Sequence, residues 1–503
     1  MNPDDARRLV GDLVEPIVEH VVEPPHGPTE VVRFASPADL VRAFAPAGGL
    51  ELAADALPLP PEMIGDAVER VLEYSVRTSH PRFLNQNFAG PDPVAVLGDW
   101  LGAALNTTAA TYEVAPVFTL MERAVLSRLA VIAGYDAGPG TGVGGQPAGI
   151  MCAGGSLATL HALQLARHRA RPDVLRTGDT ERWAVFVSSA GHYSTRKSAA
   201  LLGLGTDAVV EVPVDARGAM RVDDLQDAVA RSADEGRRPL AVVATAGTTV
   251  TGAFDPLDPI AEVCEANGLW LHVDGCYGGS ALFSPTQRHR LDGVERSDSM
   301  VWNLHKMMGM TQQCTALLVR RPAALAAAFA TGADYLFQPD KEHAALDAGD
   351  LAFACGRRVD ALKLWLAWKV HGDRGFAARV DRAVALADHA RRRISASEGA
   401  VAAVVPGDFT NVCLTWVPPE LRPLDRSRLA EPDRKRLHGL APAVKARMQR
   451  EGTAMIGYQP VDGLNAFRLI VMNPEVTEDD IDAVLDLIVR YSEEAWSSAT
   501  ATG

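Results

Sequence analysis

Four short segments carry residue types suited to chemistry, and each lies beside a short apolar run. AGGSLATLHAL (153–163) is a Gly-Gly-Ser turn entering a helix. Backbone N–H groups point outward at such a start and the helix dipole favours an anion, so a phosphate could dock there. Alone, the motif is weak, and a plain turn is its commoner reading. SSAGHYSTRKSA (188–199) sets His192 just after a buried strand. Its imidazole could stack on a flat ligand or simply satisfy a turn. In LWLHVDGCYGGS (269–280), Asp274 ends a strongly apolar strand. A buried carboxylate needs a partner, which could be a protonated ring nitrogen, an N-cap or an arginine. In MVWNLHKMMGMTQQCTALLV (300–319), Lys306 sits between two apolar runs. Burial disfavours a charged lysine and yields an amine able to form a Schiff base. A surface lysine is the commoner case, but it would not usually be flanked by MVWNLH and MMGM.

The four come in the order anion turn, histidine, acid, lysine. That set is what pyridoxal phosphate (PLP) requires: a phosphate cradle, a stacking group, an acid for the ring nitrogen and an amine for the aldehyde. The joint signal is far stronger than any one member.

The elements that must position these residues are legible as a pattern. Seven apolar runs stand at 149–152, 183–189, 208–212, 240–246, 269–274, 300–304 and 315–319. Most are too short for helices and apolar on both faces, as buried strands are. Between them lie candidate helices at 156–169, 222–233 and 259–266. Strand–helix alternation predicts an open α/β sheet with its ligand at the carboxyl ends of the strands. Residues 1 to about 75 read as helical, with breaks at Pro24–Pro25, Pro58 and Pro60–Pro61, and 92–129 as mostly helical. A Gly-rich loop (138–149) separates these from the sheet. A long helix over 355–396, interrupted near Gly372–Gly375, leads to a smaller α+β region with strands at 411–417 and 466–473 and helices at 437–451 and 478–494. The expected division is 1–108 (helical), 109–372 (large α/β) and 373–503 (small α+β).

Composition sets outer limits. The 503 residues are 47% hydrophobic and 22% charged, as in an ordinary globular chain, with 49 basic against 63 acidic residues and a net charge of −14. That sign repels phosphate backbones and anionic lipid heads, so neither nucleic acid nor a membrane surface is an expected partner. No C-x-x-C pair occurs among the six cysteines, so a reduced, cytoplasmic setting is the default. The N-terminus MNPDDARRLVGDLVEP has no apolar core of a signal peptide.

NLHKMMGM, HVDGCYGGS, ATAGTTVTGAFDP (244–256), SAGHYSTRKSAALLGLG (189–205) and AGGSLATLHAL together resemble the group II PLP-dependent decarboxylases. Within that group the sequence is most similar to glutamate and cysteine sulfinate decarboxylases of the animal type. HPRFLNQNFAG (80–90), TYEVAPVFTLME (111–122), YLFQPDK (335–341), WLAWKVHG (365–372) and FRLIVMNPEVTEDDID (467–482) extend the likeness to about residues 75–495.

The resemblance implies PLP fold type I: a large domain with a mostly parallel seven-stranded sheet, a helical N-terminal segment that forms the dimer, and a small C-terminal domain. It implies a homodimer with active sites at the subunit interface. Lys306 would bind the PLP aldehyde, Asp274 pair the ring nitrogen and His192 stack on the ring. Gly155, Ser156 and His305 would hold the phosphate. Thr248 would contact the ring substituents, and Asn303 belongs to the same cofactor set. Arg468 would bind a substrate carboxylate, while Gln86, Phe88 and Ala110 would line the substrate pocket. No metal is implied. The reaction would be α-decarboxylation of an L-amino acid to amine and CO₂.

Two departures qualify the expectation. Relatives carry a loop Tyr just before Asp-x-Gly-Asp, thought to return a proton after CO₂ departs. Here DKEHAALDAGD (340–350) places Leu346 there, and a leucine donates no proton. His343, or His192, is the expected substitute donor, with a solvated loop residue as the plain reading of His343. An aldehyde synthase or aminotransferase is therefore the alternative activity. Acidic-substrate relatives also place an aromatic before Thr-Tyr-Glu, where this chain has Ala110. That leaves room for a bulkier or less polar substrate beside glutamate, aspartate or cysteine sulfinate.

Overall fold

The computed structural model describes residues 3–22, 30–52, 54, 59–135, 147–338, 340–407 and 409–500. Pro24–Pro25, Pro58 and most of the Gly-rich loop lie outside them. The chain divides into two compact units. One comprises Met1–Pro93, Leu386–Val404 and Val412–Gly503; the other comprises Val94–Ala385 and Val405–Asn411.

Strands are numbered in chain order. The second unit is built on β2 (Gly149–Cys152), β3 (Trp183–Ser188), β4 (Val209–Val212), β5 (Arg238–Thr245), β6 (Trp270–Asp274), β7 (Ser299–Asn303) and β8 (Thr315–Val319). These are the seven apolar runs, and they form one seven-stranded sheet in the order β2-β8-β7-β6-β5-β3-β4. Every residue of β2, β3, β6, β7 and β8 is buried, which is why these runs lack period-2 alternation. The β7–β6, β6–β5, β5–β3 and β3–β4 pairings are parallel, and β8 alone runs antiparallel to its neighbours β2 and β7. Helices Gly155–Ala170, Ser194–Leu201, Val222–Asp234 and Leu257–Asn267 make the crossovers. Their length is what a parallel connection needs.

The other unit holds β1 (Phe83–Leu84), β9 (Val401–Ala403), β10 (Asn411–Trp416), β11 (Met455–Val461) and β12 (Leu464–Ile470) in the order β1-β11-β12-β10-β9. Helices Glu431–Glu451 and Glu478–Thr500 supply Leu440, Val444, Met448, Val484 and Ile488, which form one core with Phe467, Leu469 and Trp416 of this sheet.

The long helix begins at Ala361, not at 355. The backbone of Arg357 is committed elsewhere: its N–H donates to Thr108 Oγ1 (2.9 Å) and its carbonyl accepts from Ala109 N–H (2.9 Å). The interruption falls at Gly372, whose φ of 61° and ψ of −178° a side chain would oppose.

Candidate active site

Parallel strands end on one edge of the sheet, and the expected site residues gather there. Asp274 is the last residue of β6 and pairs in register with Thr245, the last of β5. Asp274 is buried, and its Oδ1 accepts the Cys276 N–H (3.1 Å). This bond fixes the carboxylate as the chain turns out of the sheet.

His192 follows β3 through a turn closed by Gly191 N–H to Ser188 O (2.7 Å). Its Nδ1 accepts the Ser194 N–H (3.3 Å) and lies 2.9 Å from Ser194 Oγ. An N–H can only donate, so the neutral ring carries its proton on Nε2. Burial pushes the imidazole pKa below its ordinary value; the Asp274 charge opposes this, and Lys306 and Lys197 add to it. His192, Asp274 and Lys306 stand at or just beyond the carboxyl ends of β3, β6 and β7, on one edge of the sheet. A neutral flat ring suits stacking.

Lys306 lies on the loop joining β7 to the antiparallel β8. Leu304 N–H donates to Cys314 O (2.9 Å), Lys306 N–H to Asn303 O (3.2 Å), and Asn303 pairs with Thr315 in register. Met307 and Met308 are fully buried on its C-terminal side, while Lys306 itself is only half-buried. The methionines anchor the stem and leave the amine reachable.

The helix Gly155–Ala170 starts after Gly154, whose φ is +93°. A Cβ at Gly155 would collide with Cys276 Sγ and stand 3.1 Å from Asn303 Nδ2. The cradle thus needs glycine, and its first-turn N–H groups have no helical partner. Ser156 is exposed beside it. His305, next to Lys306, is buried with Nδ1 at 3.0 Å from Cys314 O, and burial pushes its pKa down to about 4. Asn303 Oδ1 accepts from Thr315 Oγ1 (2.9 Å), which leaves its amide group toward Gly155. Thr248 is fully buried; its hydroxyl lies 2.8 Å from Thr251 Oγ1 and accepts the Ala253 N–H (3.0 Å). An anion cradle, an anchored acid, a neutral ring and a reachable amine on one edge form a set that fits PLP.

A second group forms around Ala110, whose carbonyl accepts from Ala348 N–H (3.0 Å) and Gly349 N–H (2.8 Å). Tyr112 N–H donates to Asp347 Oδ1 (2.8 Å), and the exposed His343 ring meets Tyr112 edge-on at 5.1 Å. This joins the wall position Ala110 to the loop bearing His343. The remaining expected residues lie in the other unit. Gln86 is exposed, Phe88 packs its ring 5.6 Å from Phe83, and Arg468 on β12 donates to Asn85 O (3.3 Å) and Gln459 Oε1 (3.1 Å).

Three groups escaped the sequence reading. Cys276 touches the cradle; its place two residues after Asp274 was the available signal. Asp255, in the GAFDP segment, is fully buried and takes Met220 N–H on Oδ1 and Thr245 N–H on Oδ2, both at 2.7 Å. It clamps the end of β5 that neighbours Asp274, and burial raises its pKa to about 7. Glu122 and Arg357 form a buried pair (2.8 Å) that also binds Met151 N–H, Met151 O and Ala109 O. This pair ties β2 to the segment carrying Ala110. Nothing local in the sequence announces it.

The buried groups set a pH response. His272, like His305, is held neutral by burial, with its pKa pushed down to about 4 from 6.5. Between these values the unfolded chain binds the protons and the folded chain does not, so acidification destabilises by up to about 3 kcal/mol per histidine. Asp255 acts in the opposite sense over about 4 to 7, since there the folded form keeps its proton longer. Two histidines outweigh one acid. Guanidinium midpoints measured at pH 7 and pH 5 are expected to fall at the lower pH; a rise refutes the assignment.

The family described as "Pyridoxal-dependent decarboxylase conserved domain" matches residues 46–416. The chain is 45% identical over 443 residues to cysteine sulfinic acid decarboxylase of Rattus norvegicus, covering 86% of this chain and 87% of that one. It is 43% identical to acidic amino acid decarboxylase GADL1 of Bos taurus, covering 83% and 79%. Its fold matches a crystal structure of mouse CSAD with a TM-score of 0.90 at 41% identity, covering 98% and 99%. The chain belongs to the pyridoxal-dependent decarboxylase family, in the group II, animal cysteine sulfinate and glutamate decarboxylase type. It is a PLP-dependent enzyme that decarboxylates an amino acid.

Proposed function

We propose that the substrate is a small acidic L-amino acid, of the cysteine sulfinate, aspartate or glutamate class, converted to amine and CO₂. The placement of Lys306, Asp274 and His192 at the carboxyl ends of β7, β6 and β3, on one sheet edge, is the observation that carries the chemistry. The rat and bovine relatives, a cysteine sulfinic acid decarboxylase and an acidic amino acid decarboxylase, support the substrate class.

PLP, when bound, supplies an aldehyde for the substrate amine and a conjugated ring for the electrons of the breaking Cα–carboxylate bond. Lys306 would hold the aldehyde end of the cofactor. Asp274 keeps a proton on the ring nitrogen, and His192 stacks on the ring. Gly155, Ser156, His305 and Asn303 hold the phosphate end, and Thr248 borders the ring substituents. Arg468, Gln86, Phe88 and Ala110 receive the substrate. His343 returns the proton that replaces CO₂ at Cα, in place of the phenol that Leu346 lacks. Its setting against Tyr112 and near Ala110 supports this role.

The enzyme acts as a cytoplasmic homodimer in this reading, with 1–108 forming much of the dimer contact, 109–372 the cofactor domain and 373–503 the small domain. Leu97, Leu101 and Leu105 expose 59%, 43% and 54% of their surface along one face of the helix Pro93–Leu105, a stripe that a second copy would cover. All six cysteines are free thiols, in keeping with a reducing compartment. No helix among the described residues is long and apolar enough to cross a membrane.

Acidic, aromatic and branched aliphatic amino acids, assayed for CO₂ with products identified by mass, test the substrate class. Release confined to aromatic or aliphatic substrates overturns it. In the same assay His343→Ala is expected to cut amine output about 10²-fold or more, with aldehyde rising among the products. Unchanged amine output removes His343 from the mechanism.

A further inference from the structure

A line of buried polar groups runs along one face of β6 toward Asp274. Trp270, His272 and Asp274 alternate along this strand, so their side chains share a face. On β7, Ser299 pairs in register with His272, and Val301 with Asp274. The Trp270 indole N–H donates to Ser299 Oγ (2.9 Å), and the same oxygen lies 2.9 Å from His272 Nδ1. His272 and Ser299 are fully buried.

Hydrogen-bond chemistry places the protons of this line. A fully buried hydroxyl needs an acceptor for its own hydrogen. Ser299 Oγ takes the indole N–H, and its hydrogen goes on to His272 Nδ1. The reverse assignment, with Nδ1–H donating, leaves the hydroxyl hydrogen without an acceptor among the described residues. The neutral ring therefore carries its proton on Nε2. Burial pushes the His272 pKa down to about 4, with the Asp274 charge and the Ser299 backbone pulling the other way, so the ring is neutral at pH 7. Nε2 itself is buried and makes no hydrogen bond among the described residues. Folding alone gives no reason to bury an idle donor, because it costs the desolvation of the group and returns nothing. The charge that acts on this ring is the carboxylate of Asp274, two residues on.

We infer that His272 is a positioning residue for the acid of the site: its Nε2–H dipole acts along the strand face on the Asp274 carboxylate and keeps that carboxylate ionised. This rests on the reading above that Asp274 pairs the PLP ring nitrogen. Burial by itself favours the neutral form of an acid, and Asp255, a second buried acid, clamps the end of the neighbouring strand. A cation set behind Asp274 would relieve this, but it would compete with the ring nitrogen for the carboxylate. A neutral donor stabilises the ion without competing, and burial is what keeps His272 neutral. His272 lies within the strand, behind the acid, so its influence falls on the chemical step rather than on substrate binding.

The test compares wild-type holoenzyme with His272→Gln and His272→Phe. Glutamine can set an amide N–H where Nε2–H stands; phenylalanine keeps a ring and gives no donor. PLP isotopically labelled at its ring nitrogen reports that proton by NMR, and circular dichroism confirms each fold. In wild type the ring nitrogen should be protonated at pH 7. In His272→Phe its affinity for the proton should fall about tenfold or more, with kcat down about tenfold, KM little changed, and His272→Gln restoring most of both losses. A packing role alone would lower the melting temperature and leave the nitrogen signal in place. An unmoved nitrogen signal in folded His272→Phe overturns the inference, as does a shift that glutamine fails to reverse. If His272→Phe does not fold, NMR of wild-type apoenzyme with labelled histidine decides, the His272 signal being assigned by its loss in His272→Gln. An Nε2–H tautomer whose signal moves in Asp274→Asn supports the inference; an Nδ1–H tautomer, or no response to Asp274→Asn, overturns it. An unprotonated ring nitrogen in wild type refutes the Asp274 reading itself, a separate and recognisable failure.

Discussion

Lys306→Ala is expected to abolish CO₂ release, by about 10⁴-fold or more, while leaving the fold intact. The side chain is half-buried, and the loop that carries it is held by backbone bonds rather than by the amine: Leu304 to Cys314, Lys306 to Asn303 and Gly309 to Lys306. Met307 and Met308 keep their packing in the variant. Alanine removes only the amine proposed to receive the PLP aldehyde. Two measurements check this. Borohydride should fix cofactor to the wild-type chain at this residue and none to Lys306→Ala, and circular dichroism should be unaltered. Turnover close to wild type in the variant would mean another amine carries the chemistry, and the site described above would be misplaced.

Asp274→Asn carries the second-largest effect. The amide oxygen of asparagine can still accept the Cys276 N–H that fixes Asp274, and the register with Thr245 is a backbone property, so the edge of the sheet stays in place. The charge is what disappears. A carboxylate can hold a proton on a ring nitrogen; an amide cannot, and a charged hydrogen bond in a dry site is lost. A fall in kcat of at least about 100-fold follows, with KM much less affected. His192 gives an independent readout. The Asp274 charge favours the protonated imidazole, so its removal should shift the His192 titration in NMR to still lower pH. Both effects absent together would place Asp274 outside the site.

The sequence made the strands legible and left their order hidden. Each of the seven apolar runs is a strand of one sheet, and in β2, β3, β6, β7 and β8 burial on both faces writes itself into consecutive residues. The order β2-β8-β7-β6-β5-β3-β4 and the reversed sense of β8 depend on which faces meet in three dimensions, and no local pattern records that. The same division runs through the site. Asp274, Lys306 and His192 announce themselves because a polar group beside an apolar run is locally odd. Glu122 and Arg357 meet across 235 positions, and neither is unusual among its neighbours. The start of the long helix was misplaced for a related reason: Arg357 spends its backbone groups on Thr108 and Ala109, far back in the chain.

The reversed strand β8 has a further consequence. The other chemical groups sit where a parallel strand gives way to a loop, open on one side. Lys306 rides on a hairpin whose two legs, β7 and β8, are zipped to each other and then into the interior of the sheet. Such a segment has no cheap way to fray, because releasing it means parting central strands. Warming should therefore not loosen the reactive lysine ahead of the rest, and inactivation and global melting become a single event.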